Sequence, residues 1–297
     1  MVDIKNIAYG SLEGIRLLLR DYVYFANSVA HYFRGRSDLL ICNSYPKSGT
    51  HLLSQILLKT GGGKYWNDIL SVQSLSGRIN TRNHIVWKYK SAPNKSVIRT
   101  HLPYSQDIKD ILKERTHKSI FIYRDPRDIV CSHAHWVINE PRIYVHNYYK
   151  NVLRTHEERL NASIEGIHLG DLPYSNISMM GIVGEIKKWK GWLYDPDTLA
   201  IRFEDMVGER GGGSEERRME TIEKILNHIE LEADRSRIEE EFASRKMNPS
   251  ESHTFRKGQG GGIGKWKEVF TEYNKKVFKE EAGELLKDMG YEIDGKW

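Results

Sequence analysis

The segment Leu39-Leu40-Ile41-Cys42-Asn43-Ser44-Tyr45-Pro46-Lys47-Ser48-Gly49-Thr50-His51 decides the fold. It opens on an apolar run, and a second apolar run, Leu52–Leu58, follows it, so the pattern predicts a strand, a tight loop and a helix. At such a junction the first N–H groups of the helix lack intrahelical partners, and the helix dipole adds partial positive charge. The segment therefore predicts an anion-binding loop.

The side chains of this loop favour a phosphate-like anion. Lys47 adds a full positive charge, and Gly49 lets a ligand approach the backbone closely. Hydrogen bonds can come from Ser48, Thr50 and His51. The order differs from the Gly-x4-Gly-Lys-Ser/Thr loop of nucleotide hydrolases, because here the lysine precedes the glycine. Two interpretations stay open at this point: a phosphate cradle of a different build, and a plain strand-to-helix turn.

Length and composition limit the function classes. The chain of 297 residues can bury a large core in one domain or in two small ones. The net charge of +5 fits a polyanionic small molecule, and no Lys/Arg block is dense enough for a duplex-binding face, so we expect no nucleic-acid partner. No stretch approaches the ~20 apolar residues that span a bilayer, and no signal-peptide core precedes Gly10. These features predict a cytoplasmic protein without stable membrane insertion.

Cysteine usage points to the same compartment. Cys42 and Cys131 lie inside apolar segments, which predicts two buried thiols in a reduced protein. A single disulfide between them stays open on sequence grounds.

Apolar strands alternate with helices along the chain. Further strands are predicted at 97–101, 119–123 and 198–203, and Asp125 followed by Pro126 is typical of a helix start. The region 64–95 reads as loops with short helices, and 140–195 as an aromatic-rich, mostly helical region. A polar segment, 245–267, has the length of a functional lid. The alternation predicts an α/β fold, with a central parallel sheet covered by helices on both faces.

Polar side chains follow several of the predicted strands. Lys47, His101 and Arg124 come at strand ends, as do the residues after Phe203. Ligands of open α/β sheets bind beyond the carboxyl ends of the strands. We therefore expect these side chains to meet in one crevice.

Four segments, in order, resemble the cytosolic-type sulfotransferases, which use 3'-phosphoadenosine 5'-phosphosulfate (PAPS). Tyr45–Thr50 looks like the family's 5'-phosphosulfate loop, and Arg99–Pro103 is similar to the strand that carries its catalytic histidine. Tyr123–Asp128, with Ser132, looks like the 3'-phosphate motif. Phe255–Gly258, followed by Trp266 and Lys267, resembles the loop that closes over the cofactor. The stretch Gly290–Trp297 also looks like bacterial members that act on small molecules.

The resemblance implies a P-loop-like three-layer sandwich that forms one sulfotransferase domain over residues 1–297. Apolar residues at helical spacing predict an N-terminal amphipathic helix in 1–35. The other parts would be an acceptor-side region at 140–195 and a cofactor-covering loop at 245–267. The implied partner is a small-molecule acceptor with a hydroxyl or a nitrogen. A homodimer is left open, and no metal is implied.

The resemblance also assigns roles. His101 would be the general base, and its unperturbed pKa of ~6.5 suits that task near neutral pH. Lys47 would neutralise the bridging oxygen as the 5'-phosphate leaves. Leu52 and Phe203 stand where many relatives have tryptophan and tyrosine. The implied donor-binding residues are Lys47, Ser48, Gly49, Thr50, His51, Leu52, Arg124, Ser132, Phe203, Arg256, Lys257 and Gly258.

Other functions stay open on the residues alone. The phosphate loop by itself would also fit a Mg²⁺-dependent kinase or nucleotide hydrolase. The basic balance would fit a non-catalytic module that binds polyanions, with strong salt dependence. His101 could be structural, Arg124 could form a surface ion pair, and we interpret His133 and His135 as ordinary helix positions or pocket wall.

Overall fold

The computed structural model describes residues 39–59, 64–168, 178–231 and 262–297. Within these residues five parallel strands form one sheet in the order β2-β3-β1-β4-β7, and β5 pairs with β6 in a short antiparallel ladder. The strands are β1 Leu39–Ser44, β2 Lys64–Ser71, β3 Ser96–His101, β4 Thr116–Tyr123, β5 Gly166–Ile167, β6 Met179–Met180 and β7 Thr198–Arg202.

Helices connect these strands. Short 3₁₀ turns lie at Lys190–Leu193 and Glu209–Gly211. The helices are α1 Thr50–Lys59, α2 Arg82–Ser91, α3 Gln106–Lys113, α4 Pro126–Asn139, α5 His146–Asn151, α6 His156–Glu165, α7 Ile182–Lys187, α8 Phe203–Met206, α9 Glu215–His228, α10 Trp266–Val269 and α11 Glu272–Asp288.

The central strand β1 shows why the sheet is covered on both faces. All six of its residues are buried. Successive side chains of a strand point to opposite faces. Leu40 and Cys42 accordingly pack into the core formed with α1 and α9, whereas Leu39 and Ile41 pack into the core formed with α2 and α3. The predicted α/β fold with a covered parallel sheet is confirmed.

The helix start at Asp125 is also confirmed. Asp125 is the N-cap of α4, its carboxylate accepts the N–H of Arg127, and Pro126 occupies the first helical position. The cap ends β4 and turns the chain directly into α4, which leaves Arg124 at the carboxyl end of the sheet.

Two local predictions were wrong. The region 64–95 contains an edge strand, β2, and a ten-residue helix, α2, rather than loops with short helices. Among the described strands β2 pairs with β3 alone, and its sequence mixes polar and aromatic residues without a clear period. Phe203 begins the short helix α8 instead of ending the fourth predicted strand.

Some predictions fall on parts of the chain that are not described. The amphipathic helix in 1–35 and the residues Arg256, Lys257 and Gly258 lie outside the described residues. Both cysteines are free and buried, Cys42 on β1 and Cys131 on α4, so the disulfide left open by the sequence does not form. In the described part of the chain, no helix is both long enough and apolar enough to cross a bilayer.

Candidate active site

The loop between β1 and α1 is a tight turn with two residues in the left-handed region. Lys47 has a φ of 73° and Gly49 a φ of 103°. The N–H of Ser48 donates to the carbonyl of Tyr45 at 3.2 Å, and the N–H of Leu53 donates to the carbonyl of Gly49 at 3.1 Å. A lysine with positive φ is uncommon and is strained by roughly 1–3 kcal/mol, and such residues cluster at functional sites.

Gly49 is required here for space as well as for conformation. A Cβ atom at this position would lie 2.6 Å from a ring carbon of Phe203 and 3.0 Å from Ile122.

We expect Gly49→Ala to lower the free energy of unfolding by about 1–3 kcal/mol from the backbone conformation alone, measured by urea denaturation. Gly283→Ala is the matched control, because Gly283 lies inside α11 with nothing within 4 Å of an added Cβ. The control should be stabilised, and equal losses in both variants would contradict the steric argument.

His101 ends β3 beside the loop. Its Nδ1 lies 2.9 Å from the carbonyl oxygen of Ser44, the last residue of β1. A carbonyl can only accept, so the proton of the neutral ring is on Nδ1 and Nε2 has the lone pair. Burial, which is only partly offset by the Ser44 carbonyl and is reinforced by the charges of Arg99 and Lys47, lowers the pKa of His101 to about 4. The ring is therefore a neutral base at pH 7.

Lys47 is a half-buried cation in the same place. Burial, and secondly the charge of Arg124, lower the pKa of Lys47 to about 8. Its ammonium lies 5.0 Å from the ring centre of Trp136, on α4. Because Lys47 and Arg124 are neighbouring like charges, an anion bound between them would relieve their repulsion.

Arg124 joins the loop to distant parts of the chain. One guanidinium nitrogen donates to the carbonyl of Lys47 at 3.3 Å and another donates to the carbonyl of Gly262 at 3.0 Å. Its guanidinium carbon lies 4.5 Å from the ring centre of Phe203. Since Arg124 is 3% exposed, it is held in the protein interior and does not form the surface ion pair that the sequence left open.

An anchor next to Arg124 was missed in the sequence. Asp128, fully buried on α4, accepts the N–H of Gly264 at 2.8 Å and the N–H of Trp266 at 3.1 Å, and lies 4.0 Å from Arg124. Asp128 lies in the first turn of α4, four residues after Arg124. The carboxylate thus fixes the backbone of 264–266 beside the arginine, and the only signal in the sequence was its spacing.

Arg127 supports the same anchor from behind. Its guanidinium lies 4.0 Å from the ring centre of Trp266 and 4.6 Å from that of Trp297, and it pairs with Asp125 and Glu292. These contacts tie the start of α4 to residues at the end of the chain. Arg127 is buried, so this cluster is part of the interior and not of the open crevice.

The remaining predicted donor-binding residues have different surroundings. Ser48 and Ser132 are buried, and the Oγ of Ser48 has no hydrogen-bond partner within the described part of the chain. Thr50 is hydrogen-bonded to Ser44 through their hydroxyl groups. Leu52 is 1% exposed and packs in the core between α1 and the sheet. The structure thus brings Lys47, His101, Arg124 and Phe203 around the loop, and the donor-binding roles stay predictions.

His51 has a partner that sequence analysis did not assign. Its Nδ1 lies 2.8 Å from a guanidinium nitrogen of Arg99, on β3. Arg99 is two residues before His101, and residues at i and i+2 of a strand share a face. This alternation along the strand was the signal in the sequence that could have placed Arg99 on the same face as His101.

Aromatic residues and histidines line the side of the loop towards α4–α7. His133 Nδ1 lies 3.1 Å from the hydroxyl of Ser163, and its ring contacts Trp136 and Tyr149 edge-on. Burial, and then the charge of Lys47, lower the pKa of His133 to about 3. His133 is therefore a neutral side chain near Lys47, and its role as an ordinary helix position or as pocket wall stays a prediction.

The segment after β2 packs against the same region. The N–H of Tyr144 donates to the carbonyl of Leu75 at 3.0 Å, and the Tyr144 hydroxyl lies 3.3 Å from the carbonyl of Ser178. Tyr45 contacts Trp189 edge-on, with ring centres 5.1 Å apart. Two segments that are far apart in sequence therefore meet beside the loop.

Comparison of the fold with solved structures gives one consistent answer. A crystal structure of mouse sulfotransferase SULT7A1 complexed with PAP superposes with a TM-score of 0.55 at 21% identity, covering 85% of this chain and 86% of the other. A retinol dehydratase in a complex with retinol and PAP superposes with a TM-score of 0.56 at 16% identity, covering 89% and 86%. At these identities the likeness concerns the fold, and the predicted P-loop-like three-layer sandwich is confirmed.

Sequence comparison identifies the family. Sulfotransferase 2A6 of Rattus norvegicus is 26% identical over 278 residues, which are 85% of this chain and 87% of the relative. Sulfotransferase 1E1 of Mus musculus is 22% identical over 302 residues, which are 94% of this chain and 93% of the relative. The family model described as "Sulfotransferase domain" matches residues 36–290. With most of its length matched, and with the loop, His101 and Arg124 arranged as above, this chain belongs to the sulfotransferase domain family.

Proposed function

We propose that this protein transfers the sulfuryl group of PAPS to a hydroxyl or nitrogen of a small-molecule acceptor, with His101 as the general base. The observation that carries the proposal is the meeting of a phosphate-type loop, two neighbouring cations and a neutral histidine at one end of the sheet. Lys47, Arg124 and His101 come from three different strand ends. The charge of Arg124 acts on Lys47, and the charge of Lys47 acts on His101.

The residues present fit a doubly phosphorylated nucleotide. The amino end of α1, a ten-residue helix, offers N–H groups to a 5'-phosphate. Arg124 offers a guanidinium, whose planar fork matches the geometry of a phosphate. The carboxylates near it, Asp125 and Asp128, are engaged with Arg127 and with backbone N–H groups. By the family resemblance, Ser132, Arg256, Lys257 and Gly258 would complete the 3'-phosphate site.

PAPS supplies the sulfuryl group, and the side chains of the protein supply position, charge and a proton acceptor. Lys47 neutralises charge that develops on the leaving 5'-phosphate, which is an electrostatic contribution to catalysis. His101 accepts the proton of the acceptor at Nε2, because its Nδ1–H is directed to Ser44. In-line transfer needs these groups to be fixed in advance, which the strand ends provide.

The acceptor is proposed to bind on the side of Lys47 that faces α4–α7. Trp136, His133 and Tyr149 lie there, and Tyr144 closes the region against the segment after β2. A relative of this fold has been crystallised with retinol, a small molecule, which supports a small-molecule acceptor here. We also propose that the 297 residues act as one cytoplasmic domain.

Turnover with PAPS in the presence of a chelator tests the proposal. The protein is incubated with PAPS and a panel of phenols, alcohols and amines in EDTA, and PAP formation is measured. We expect turnover without added metal. A strict requirement for Mg²⁺ and a nucleoside triphosphate would favour the kinase or hydrolase alternative. Binding of heparin that PAP cannot displace would favour the polyanion-binding module.

The affinity for PAP is expected to fall as the pH rises through about 8, the lowered pKa of Lys47. A lysine has its charge below its pKa and loses it above, and the phosphates of PAP bind the charged form. One pH unit below the pKa, Lys47 is charged in most of the free protein, and one unit above it Lys47 is charged in roughly a tenth. The Kd for PAP should therefore rise about tenfold between about pH 7 and pH 9. Calorimetry at constant ionic strength measures the Kd for PAP at each pH.

Lys47→Arg is the control for this titration. A guanidinium stays charged throughout the range, so the variant should show a nearly flat profile. A profile parallel to that of the wild type would assign the titration to another group.

A further inference from the structure

Two histidines beside the loop are held in opposite tautomers by their partners. Nδ1 of His101 lies 2.9 Å from the carbonyl oxygen of Ser44, and Nδ1 of His51 lies 2.8 Å from a guanidinium nitrogen of Arg99. A carbonyl oxygen can only accept and a guanidinium can only donate. His101 therefore has its proton on Nδ1, whereas His51 has its proton on Nε2.

Arg99 is a buried charge placed under the loop. It is 4% exposed, it pairs in register with Cys42 of β1, and it shares a strand face with His101. Burial raises the pKa of the Cys42 thiol, and the charge of Arg99 acts in the opposite direction and lowers it. The guanidinium thus lies between the two central strands and the first turn of α1, where His51 is located.

We propose that Arg99 is a positioning residue, which fixes His51 as a neutral Nε2–H donor to the 5'-phosphate of the bound nucleotide. The proposal rests on the proposed function, since it needs a phosphate at the loop. His51 follows Gly49 and Thr50 directly, at the end of the helix where N–H groups collect an anion.

The geometry explains why the ring must be neutral. A doubly protonated His51 would point an Nδ1–H at the N–H of Arg99 at 2.8 Å, with two positive charges in contact. The arginine therefore excludes that state and the opposite tautomer together. It also polarises the imidazole, which makes Nε2–H a stronger donor. The two histidines then have complementary tasks, one accepting a proton from the acceptor and the other donating a hydrogen bond to the leaving phosphate.

A double-mutant cycle distinguishes positioning from direct contact. Wild type, Arg99→Met, His51→Ala and the double variant are titrated with PAP in a calorimeter. We expect each single change to weaken PAP binding about tenfold, and the double variant to bind as His51→Ala does. If Arg99→Met weakens binding equally with and without His51, Arg99 acts on the nucleotide or the fold by itself, and the inference is overturned.

A second pair of variants leaves the buried arginine intact. The side chain of His51→Gln retains an N–H close to the Nε2 position, so it should bind PAP within about threefold of wild type, unlike His51→Ala. Equal losses in the two variants would overturn the donor role.

The tautomer itself is observable without any ligand. Long-range ¹H–¹⁵N spectra of the free protein should show His51 protonated on Nε2, and Arg99→Met should show a mixture. Protonation of His51 on Nδ1 in the wild type would overturn the assignment. A wild type that bound no PAP would overturn the proposed donor together with this contact, whereas normal affinity with additive effects would overturn the inference alone.

Discussion

Replacing His101 by alanine should lower kcat by about 10²–10⁴-fold, the range usual for loss of a positioned general base. The structure fixes the ring by the Nδ1–H to the Ser44 carbonyl, so that Nε2 is the atom that accepts a proton. His101 is already deprotonated at pH 7, because burial lowers its pKa to about 4. Single-turnover kinetics with saturating PAPS measure the loss in the chemical step.

Binding of the donor separates a catalytic loss from a folding defect. PAP affinity of His101→Ala should stay within about threefold of wild type, because the base acts on the acceptor. His228→Gln is a matched control, since the Nε2 of His228 also lies close to a carbonyl, that of Ser119 at 3.0 Å, in the first half of β4. Its kcat should be unchanged. Wild-type kcat in His101→Ala would eliminate the histidine as base.

Replacing Arg124 by methionine should weaken PAP binding by about 10²–10³-fold. The guanidinium is buried and joins the loop carbonyl of Lys47 to that of Gly262. Truncating one partner of a desolvated charge pair costs about 2–5 kcal/mol, a range of about 30-fold to 4,000-fold that contains the expected loss. Calorimetry with PAP and with adenosine 5'-phosphate, which lacks the 3'-phosphate, identifies the group that Arg124 binds.

Comparing the affinities of the two nucleotides distinguishes binding of the 3'-phosphate by Arg124 from support of the loop by Arg124. If Arg124 binds the 3'-phosphate, PAP should lose its advantage over adenosine 5'-phosphate, whose own affinity changes little. Arg202→Met is the control, because Arg202 ends the neighbouring strand β7, bonds the carbonyl of Gly290 at 3.2 Å and stacks on Tyr291. It should bind PAP as the wild type does. Equal losses for both nucleotides would mean that Arg124 supports the loop instead.

The sequence predicted the layout of the site because the site lies at strand ends. An apolar run, a turn with Gly49 and a second apolar run determine β1, the loop and α1 by local rules. Because ligands bind beyond the carboxyl ends of parallel strands, His101 and Arg124 were predicted to lie in the same crevice. Those inferences need only the order of elements.

What the sequence could not predict depends on side chains from distant elements. The contact of Arg99 with His51 joins β3 to α1, and the bonds of Asp128 join α4 to residues 264–266. Edge strand β2 was missed because its residues, Lys64–Ser71, show no clear period of apolar positions. The lowered pKa of His101 likewise follows from burial, which no local pattern shows.

The order of the strands bears on how the protein acquires its site during synthesis. The strand in the middle of the sheet, β1, is the first to be made among the described residues, and its neighbours β3 and β4 come much later in the chain. Closing such long loops costs entropy before any pairing compensates for it, which slows assembly. A nascent chain thus exposes the loop long before Arg124 and Gly262 exist to meet it. A nucleotide that recognises the finished site can slow unfolding, but it gives the ribosome-bound chain no help in folding.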